Sequence, residues 1–368
     1  MDPLFEHDVY DFKEAETNKS GKISLHNKIL IMILIIFGFL LGILIITFLV
    51  LKIMLLMTEN IHEIISSNDA IILELPLENN NVKIIQYNVY WRSGIMHIGK
   101  NEYVHERAMT LSDSINDYDI ICLSEAFQFG SSTVKHFIES LKARGFKYFV
   151  SGKKPSFFSH YLIDSGNLIC SKYPIVETES FIFSQGKSFD YFGAKSVTFA
   201  RIQISQTQCI NVFTTHTQAS YNNIITKTDL TIRSSQRKEI QQFMKKCATE
   251  KKDQKNDLTV LAGDLNSEFY DERENLRFLK DLQIDGYEIV DTIYDSLMNH
   301  RPYTTCKQFF KNDPHKKPDS IDYILIYQPL SENPIVSYSS RVEEYSMIGR
   351  PYNYLSDHYA ITLDIKLE

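Results

Sequence analysis

Six short polar motifs follow apolar runs that are typical of β-strands, and each carries a group able to do acid–base or metal chemistry. They are Gln86-Tyr87-Asn88, Ser124-Glu125, Thr215-His216-Thr217-Gln218, Gly263-Asp264-Leu265-Asn266, Ile321-Asp322-Tyr323 and Ser356-Asp357-His358. A polar group in mid-strand is buried, whereas one at the tip of a strand can meet a ligand. Each motif alone has an ordinary explanation, because Gly, Asp and Asn also dominate plain turns. Their recurrence at so many strand ends predicts one shared site.

The elements that must position these motifs are short β-rich runs alternating with amphipathic stretches. The predicted strands are Val82–Val89, Asp119–Leu123, Lys147–Ser151, Gly166–Cys170, Ser196–Ile204, Cys209–Thr215, Leu258–Ala262, Ser320–Ile326 and Tyr359–Ile365. The predicted helices are Tyr103–Ile115, Ser131–Arg144, Leu230–Cys247 and Arg273–Leu282. This order mixes hairpin-like neighbours with helical crossovers and indicates two packed sheets covered by helices. One domain, residues 82–368, accounts for all of them.

A long apolar stretch near the N-terminus predicts a transmembrane helix. Ile29–Leu51 has no charged residue and continues to Met57 after Lys52. A bilayer core about 30 Å thick needs roughly 20 helical residues, so residues 29–57 are long enough to span it. A buried core helix and a cleaved signal peptide are the two alternatives. Residues 1–28 then form a tail and residues 58–81 a polar connector.

The lysines around the apolar stretch suggest how it is oriented. Lys13, Lys19, Lys22 and Lys28 precede it, whereas Lys52 alone follows immediately. Positive charge favours the cytoplasmic side of a span. We therefore expect a single-pass membrane protein with a cytoplasmic N-terminus and a lumenal or extracellular C-terminal domain.

Composition narrows the classes of partner and site. The chain of 368 residues has a net charge of −7. This charge argues against a protein that binds nucleic acid mainly through electrostatic attraction, although it does not exclude a nuclease. Its 5 cysteines include no CxxC pair, and its 11 histidines include no HxxxH pair. A thiolate or histidine zinc site is therefore disfavoured.

The motifs together resemble those of the endonuclease/exonuclease/phosphatase superfamily, which has the deoxyribonuclease I-like fold. The elements that carry the resemblance are Asn88, Glu125, Gly263-Asp264-x-Asn266, Ile321-Asp322-Tyr323 and Ser356-Asp357-His358, in that order. Within the superfamily the chain is most similar to neutral sphingomyelinases. The narrower likeness rests on Thr215-His216-Thr217-Gln218-Ala219, Gly166-Asn167-Leu168, Ser171-Lys172-Tyr173-Pro174-Ile175 and Asp190-Tyr191-Phe192-Gly193-Ala194-Lys195. The resemblance implies an α/β (α+β) four-layer αββα sandwich behind the N-terminal helix.

The resemblance also implies a metal-dependent phosphodiesterase. Glu125, supported by Asn88 and with Asp357 nearby, would hold Mg²⁺, with Mn²⁺ as an alternative, because hard cations prefer oxygen ligands. His358 would be the general base for the attacking water, since imidazole titrates near neutrality. Asp322 would orient that ring and select its tautomer.

Five further residues receive implied roles at the scissile phosphate. Asp264 and Asn266 would lie at the phosphate and the nucleophile, and His216 would donate to a phosphate oxygen or to the leaving group. Asp190 and Lys195 would form an element that positions the site. The ordinary alternative for Lys195 is a solvated surface lysine.

A membrane anchor beside a phosphodiesterase domain favours a lipid substrate, because tethering raises the effective concentration of the enzyme at the headgroup layer. Sphingomyelin hydrolysis to ceramide and phosphocholine is the leading hypothesis. A nuclease or an inositol-phosphate phosphatase of the same fold, or a non-catalytic membrane scaffold, remains an alternative. Phe157 and Phe158, beside Lys153 and Lys154, are either an apolar loop tip at the membrane interface or part of the core. The oligomeric state stays open.

Overall fold

A computed structural model describes residues 24–64, 81–92, 101–221, 224–249, 257–306, 308–309, 318–330 and 335–367. The chain divides into two compact units, residues 1–50 and 51–368. Most of the predicted tail and residues 65–80 of the predicted connector lie outside the described part.

The first helix, α1, covers Leu25–Leu56 and begins four residues before the predicted span. It is long and apolar enough to cross a membrane, and its most apolar window is not buried against protein. Among the described residues α1 is therefore not a buried core helix, and a membrane span and a signal sequence are both consistent with its length and composition.

Thirteen strands are formed by the described residues. They are β1 (His62–Glu63), β2 (Asn81–Trp91), β3 (Ile120–Ala126), β4 (Tyr148–Ser151), β5 (Leu168–Ser171), β6 (Ile175–Ile182), β7 (Ser196–Gln203), β8 (Cys209–His216), β9 (Leu258–Asp264), β10 (Tyr287–Asp291), β11 (Asp322–Pro329), β12 (Ile335–Glu343) and β13 (Ala360–Leu367). The further helices are α2 (Val104–Ser114), α3 (Thr133–Lys142), α4 (Lys227–Met244), α5 (Glu272–Leu282) and α6 (Thr292–Ser296).

The strands build two mixed sheets. The first has the order β1-β4-β5-β3-β2-β13-β12, and the second has the order β10-β11-β9-β8-β7-β6. Each sheet has one parallel pair at its centre, β2 with β3 and β8 with β9. Helical crossovers connect the members of these pairs, as parallel neighbours require.

The two sheets pack face to face over an apolar layer. Ile84, Cys122 and Ile169 of the first sheet belong to one buried cluster with Val212 and Val260 of the second. These residues alternate with neighbours that face the other way, because successive side chains of a strand point to opposite sides. The layer fixes the distance between the sheets, and therefore between the site motifs that each sheet carries.

Helices cover the outer face of each sheet. Leu111 of α2 and Phe137 of α3 pack on the first sheet, while Ile240 of α4 and Phe278 of α5 pack on the second. The predicted four-layer αββα sandwich is therefore confirmed. The nine predicted strands and four predicted helices are all present, with ends that move by a few residues.

The sequence reasoning missed β1, β6, β10 and β12, together with the short helix α6. All four of these strands are edge strands: β1 and β12 lie at the two edges of the first sheet, and β10 and β6 lie at the two edges of the second. An edge strand has one neighbour and keeps polar, half-exposed residues, as the alternating pattern of β6 shows. Its apolar signal is therefore weaker than that of a central strand.

Candidate active site

Strand pairing brings the predicted motifs to one end of the sandwich. Asp264 at the end of β9 is paired with Asp322 on antiparallel β11 and with His216 on parallel β8. In the other sheet, Asn88 of β2 is paired with Ser124 of β3, directly before Glu125. Residues far apart in the chain therefore become neighbours because the register of the strands aligns their ends.

Gly263 permits the close approach of β8 and β9 immediately before Asp264. A Cβ atom at this position would lie 2.1 Å from the backbone oxygen of Thr215. No real Cβ is tolerated at such a distance from backbone, so only glycine fits here. The Gly of the Gly-Asp motif has this packing role and brings Asp264 close to His216.

His358 and Asp322 form a buried hydrogen-bonded pair. Nδ1 of His358 lies 2.8 Å from Oδ2 of Asp322, and the imidazole Nε2 lies 3.9 Å from Oδ2 of Asp264. A carboxylate at Nδ1 selects the tautomer or charge state that carries a proton there. Nε2 is then the atom that faces the shared site and can exchange a proton.

Asp322 is held by groups that donate to both of its oxygens. Thr304 donates its hydroxyl to Oδ2 at 2.7 Å, and Gln86 donates from Nε2 to Oδ1 at 3.2 Å. The backbone amides of Ile321 and Asp322 both donate to the Thr304 hydroxyl oxygen, so its proton points to the carboxylate. Asp322 is fully buried, and this network fixes the orientation of its carboxylate.

The charges around His358 favour its protonated form in the metal-free site. Burial lowers the pKa of His358, but the carboxylates of Asp322, Asp357 and Asp264 outweigh burial and raise the pKa well above its ordinary value. A group with these neighbours readily accepts a proton at Nε2. A cation bound among the same carboxylates would weaken this effect.

A second group of polar residues links the two sheets. Nδ2 of Asn88 donates to Oε1 of Glu125 at 3.2 Å and to Oδ2 of Asp264 at 2.9 Å. Burial raises the pKa of Glu125, and the negative charge of Asp357 raises it further. Burial and the nearby Asp322 raise the pKa of Asp264 to about 7.

These raised pKa values are the expected result of gathering carboxylates in a buried site. A divalent cation would remove the repulsion, and oxygen-rich sites suit Mg²⁺ or Mn²⁺ rather than softer metals. The donor set of Glu125, Asn88 and Asp357 therefore fits a hard cation. Asp264, Asp322 and His358 form a second group whose ligand atoms all lie within 4.8 Å of one another.

Two of the site residues have left-handed backbone conformations. The φ angle is 58° at Glu125 and 46° at Asn266. Such angles are uncommon in residues other than glycine and are often found at functional sites. Gly166 packs against this turn, because a Cβ there would lie 3.0 Å from Cα of Glu125. The backbone around Glu125 is therefore fixed by close packing.

His216 is contacted by Lys195 inside the site. The ammonium of Lys195 donates to Nε2 of His216 at 3.0 Å and also forms an ion pair with Asp190 at 3.2 Å. Because Lys195 is buried, the alternative of a solvated surface lysine is wrong. Burial, followed by the charges of Lys195 and His358, lowers the pKa of His216 well below its ordinary value. His216 is therefore neutral at physiological pH.

The remaining predicted residues also lie at this end of the sandwich. Nδ2 of Asn266 donates to the backbone oxygen of Thr217 at 3.1 Å, and the backbone amide of Asn266 donates to Oδ1 of Asp264. Asp357 is half-exposed, and its negative charge acts on both Glu125 and His358. All ten predicted residues thus belong to one connected group.

Arg107 is a positioning residue that the sequence reasoning missed. Its buried guanidinium donates to the backbone oxygens of Val89 and Leu355 at 2.9 and 2.6 Å, and to that of Tyr90 at 2.7 Å. It therefore connects the end of β2 with the loop that leads into His358. The sequence carries no local signal for this role, since Arg107 is one of several charged residues on an amphipathic helix.

A cleft of about 430 Å³ opens above Glu125 and His216. Aromatic rings form much of its wall, from Tyr90, Phe127, Phe189 and Tyr221. The cleft therefore has a charged floor and apolar walls. Such a cleft accommodates a small ligand with an anionic end and an apolar or cationic end.

Comparison with known proteins identifies the family. The model of the Endonuclease/Exonuclease/phosphatase family matches residues 85–358, from β2 to the closing histidine. The chain belongs to this family. The predicted superfamily is therefore confirmed, and the matched range includes all ten predicted site residues.

Curated members of the endonuclease/exonuclease/phosphatase family resemble this chain to different extents. A sphingomyelinase of Dictyostelium discoideum is 38% identical over 112 residues, which are 28% of this chain and 24% of that protein. The match thus spans about a quarter of the length of that relative. A phospholipase C of Staphylococcus aureus is 26% identical over 306 residues, covering 77% of this chain and 87% of the relative. A sphingomyelinase C of Bacillus cereus is 25% identical over 316 residues, covering 79% of this chain and 90% of the relative.

Solved structures of the family share the fold. The crystal structure of SmcL has a TM-score of 0.61 and 24% identity, covering 77% of this chain and 99% of its own. A beta toxin mutant of Staphylococcus aureus with bound magnesium ions has a TM-score of 0.60 and the same identity and coverage. These similarities establish the sandwich architecture.

Proposed function

We propose that this protein is a membrane-anchored, divalent-metal-dependent phosphodiesterase that hydrolyses sphingomyelin to ceramide and phosphocholine. The observation that carries the proposal is the buried His358–Asp322 pair, whose free imidazole nitrogen faces Asp264 beside Glu125. This arrangement places a proton acceptor beside a carboxylate-rich site for a cation. Such a site suits attack by water on an anionic diester.

Glu125, with Asn88 and Asp357, would hold Mg²⁺, and Mn²⁺ has the same ligand preference. A bound cation supplies positive charge for the phosphate oxygens and for the departing alkoxide. The beta toxin mutant with bound magnesium ions supports the choice of Mg²⁺. The raised pKa of Glu125 also supports a cation at this carboxylate, because a cation would favour its ionised form.

The chain's own residues perform the proton transfers. Nε2 of His358 takes a proton from the attacking water, and Asp322 stabilises the resulting imidazolium through Nδ1. Asp264 and Asn266 orient the water and the phosphate. As the oxygen of water forms its bond to phosphorus, the bond from phosphorus to the ceramide oxygen breaks, and that oxygen takes a proton from the hydrogen-bonded His216–Lys195 pair as it leaves.

His216 and Lys195 act on the phosphate oxygens. Lys195 has only protons to donate, so Nε2 of the neutral His216 accepts from it in the ligand-free site. An anionic phosphate in the cleft would attract the Lys195 ammonium and leave His216 free to adopt the other tautomer. Asp190 positions Lys195 through their ion pair.

Several observations support a choline phospholipid as the substrate. The relatives named sphingomyelinase C and phospholipase C match most of the catalytic domain. The aromatic walls of the cleft, including Phe127 and Tyr221, offer faces for a quaternary ammonium group. The apolar helix α1 supports anchoring at the membrane where such lipids occur. The lysines before the uncharged stretch Ile29–Leu51 support a cytoplasmic N-terminus and a catalytic domain on the opposite side.

The test is release of phosphocholine from sphingomyelin vesicles by the full-length protein, with Mg²⁺, Mn²⁺ or EDTA. We expect metal-dependent release that His358→Ala abolishes, while Lys238→Ala at an exposed position of α4 keeps full activity. Parallel assays with plasmid DNA and phosphoinositides address the other substrate classes. Cleavage of DNA without phosphocholine release would indicate a nuclease. Inactivity on all substrates would support a non-catalytic membrane scaffold.

The membrane part of the proposal has a separate test. Carbonate extraction of membranes and protease protection in sealed microsomes distinguish a spanning helix from a removed signal sequence. We expect the full-length chain to stay in the membrane with its C-terminal domain protected. A shortened, extractable chain would show that the apolar segment is a signal sequence.

A further inference from the structure

Four large aromatic side chains form an exposed patch beside the cleft. They are Phe158, Phe189, Tyr191 and Phe192, with exposed fractions of 93%, 79%, 45% and 43%. Isolated exposed rings are ordinary, but a group of four large rings on two adjacent segments is not. We call this group the aromatic patch. The proposed chemistry uses only Phe189 from it, as part of the cleft wall.

Backbone hydrogen bonds join the two segments that carry the aromatic patch. The amides of Leu162 and Ile163 donate to the oxygen of Phe192 at 2.7 and 3.2 Å. The amide of Ala194 donates back to the oxygen of Ile163 at 3.0 Å. The rings are therefore displayed by a connected backbone structure and not by two independent loops.

A stacked pair of rings strengthens the connection. His160 stacks on Tyr191 with ring centroids 4.3 Å apart and an interplanar angle of 23°. Phe157 is half-buried and meets the ring of Phe158 edge to face at 5.3 Å. Of the two phenylalanines singled out in the sequence, Phe157 thus supports the loop and Phe158 points outward.

The aromatic patch adjoins the residues at which the apolar helix ends. Nζ of Lys52, in the last turns of α1, donates to the backbone oxygens of Ser159 and Tyr161 at 2.5 and 2.7 Å. Lys154 donates in return to the backbone oxygens of Leu56 and Thr58. Two lysines thus connect the loop that carries Phe158 with the segment that directly follows the candidate span.

We propose that the aromatic patch is a second contact with the bilayer, lying at the level of the lipid headgroups beside the end of α1. The proposal rests on the proposed lipid substrate and membrane anchor. Aromatic side chains are favoured at membrane interfaces, and the ammonium groups of Lys153 and Lys154 can interact with the phosphate groups of lipid headgroups. A protein partner is a less favoured alternative, because the patch lies next to the C-terminal end of the apolar helix α1.

This contact would aim the cleft at the lipid layer. Phe189 belongs both to the aromatic patch and to the cleft wall. Asp190, between two of the exposed rings, and Gly193, directly after the last of them, also line the cleft. A single membrane-spanning helix can tilt and rotate in the bilayer, so it does not by itself fix the direction in which the cleft opens. A second contact at the rim of the cleft would keep the opening at the level of the headgroups.

Fluorescence of the full-length protein in vesicles tests the contact directly. The sequence has one tryptophan, Trp91, which is buried, so its signal can be subtracted. We expect brominated phosphatidylcholine in the vesicles to quench the emission of Phe158→Trp. Leu276→Trp, at a position of α5 with 81% exposure outside the patch, serves as the matched control and should not be quenched. Equal quenching of the two variants, or quenching of neither, would overturn the proposal.

Kinetics provide the second readout. We expect the double variant Phe158→Ser/Phe192→Ser to lose about tenfold or more of its activity on sphingomyelin in bilayers, because both rings lose their favourable transfer from water. Its activity on water-soluble p-nitrophenylphosphocholine should equal that of the wild type. Leu276→Ser/Met298→Ser, which removes two other exposed apolar side chains, should leave both activities unchanged.

The two assays separate the patch from the proposed function. Equal activity of the Phe158→Ser/Phe192→Ser variant and the wild type on bilayers would overturn the patch proposal while leaving sphingomyelin hydrolysis intact. Loss on both substrates would also overturn it, since the patch would then act on the fold or the site. A wild type inactive on both substrates would contradict the proposed function, and the quenching result would still decide the membrane contact.

Discussion

Replacing Asp322 by asparagine removes one charge from the site and preserves nearly all of its shape. The asparagine oxygen can take the place of Oδ2, where it accepts from Thr304 and from Nδ1 of His358. The new amide then faces Gln86, whose Oε1 is buried without a partner among the described residues. Rotation of the Gln86 amide by half a turn supplies an acceptor. The variant should therefore fold with His358 in its native orientation.

The size of the effect follows from the distance between the groups. Nδ1 of His358 and Oδ2 of Asp322 are 2.8 Å apart in a buried site. Two unit charges with centres about 4 Å apart attract by about 4 kcal/mol at an effective dielectric constant near 20. The imidazolium that forms in the transition state would lose this stabilisation. Each 1.36 kcal/mol corresponds to about tenfold in rate, so kcat should fall about a thousandfold.

The assay measures kcat for phosphocholine release at saturating Mg²⁺, together with the melting temperature. Asp281→Asn is the matched control, because Asp281 is a buried carboxylate paired with Arg237 at 3.0 Å on the far helical layer. It should lower the melting temperature and keep kcat. If Asp322→Asn stays folded and loses less than about tenfold in kcat, the charge on Asp322 does not serve His358 as we infer.

Three further predictions follow from the site. Gly263→Ala should destabilise the protein strongly or prevent folding, since its Cβ would lie 2.1 Å from the Thr215 oxygen. Gly145→Ala is the comparison, because no atom lies within 4 Å of a Cβ there, and it should lower the melting temperature less. Lys195→Met should raise the pKa of His216, because the Lys195 charge lowers it, and an unchanged titration by NMR would contradict the contact. Mg²⁺ should raise the melting temperature more at pH 8 than at pH 5. Without a metal, the folded protein keeps a proton on Asp264 up to about pH 7, whereas the unfolded chain releases this proton near pH 4. The free energy of unfolding therefore falls as the pH rises from about 4 to about 7. A bound cation stabilises the ionised carboxylate and so reverses this loss. Equal increases at both pH values would contradict this argument.

The sequence alone determined the central strands and the residues at their ends. Alternating or continuous apolar runs such as Val82–Val89 and Leu258–Ala262 predicted the buried strands, because burial imposes its pattern locally on each strand. The polar motifs stood out as interruptions of these runs. The composition of α1 likewise predicted a span, since a bilayer acts on every residue of the helix.

The tertiary structure alone decided which groups support the site residues. Thr304 and Gln86 hold Asp322 from sequence separations of 18 and 236 residues, and Arg107 contacts Val89 and Leu355 from separations of 18 and 248 residues. Nothing in the local sequence distinguishes such residues from ordinary polar ones. The burial of Lys195 and the gathering of the exposed aromatic patch also depend on contacts between distant segments. Hydrophobic periodicity is a property of neighbours along the chain, whereas these contacts arise only when the two sheets pack and the register of their strands is fixed.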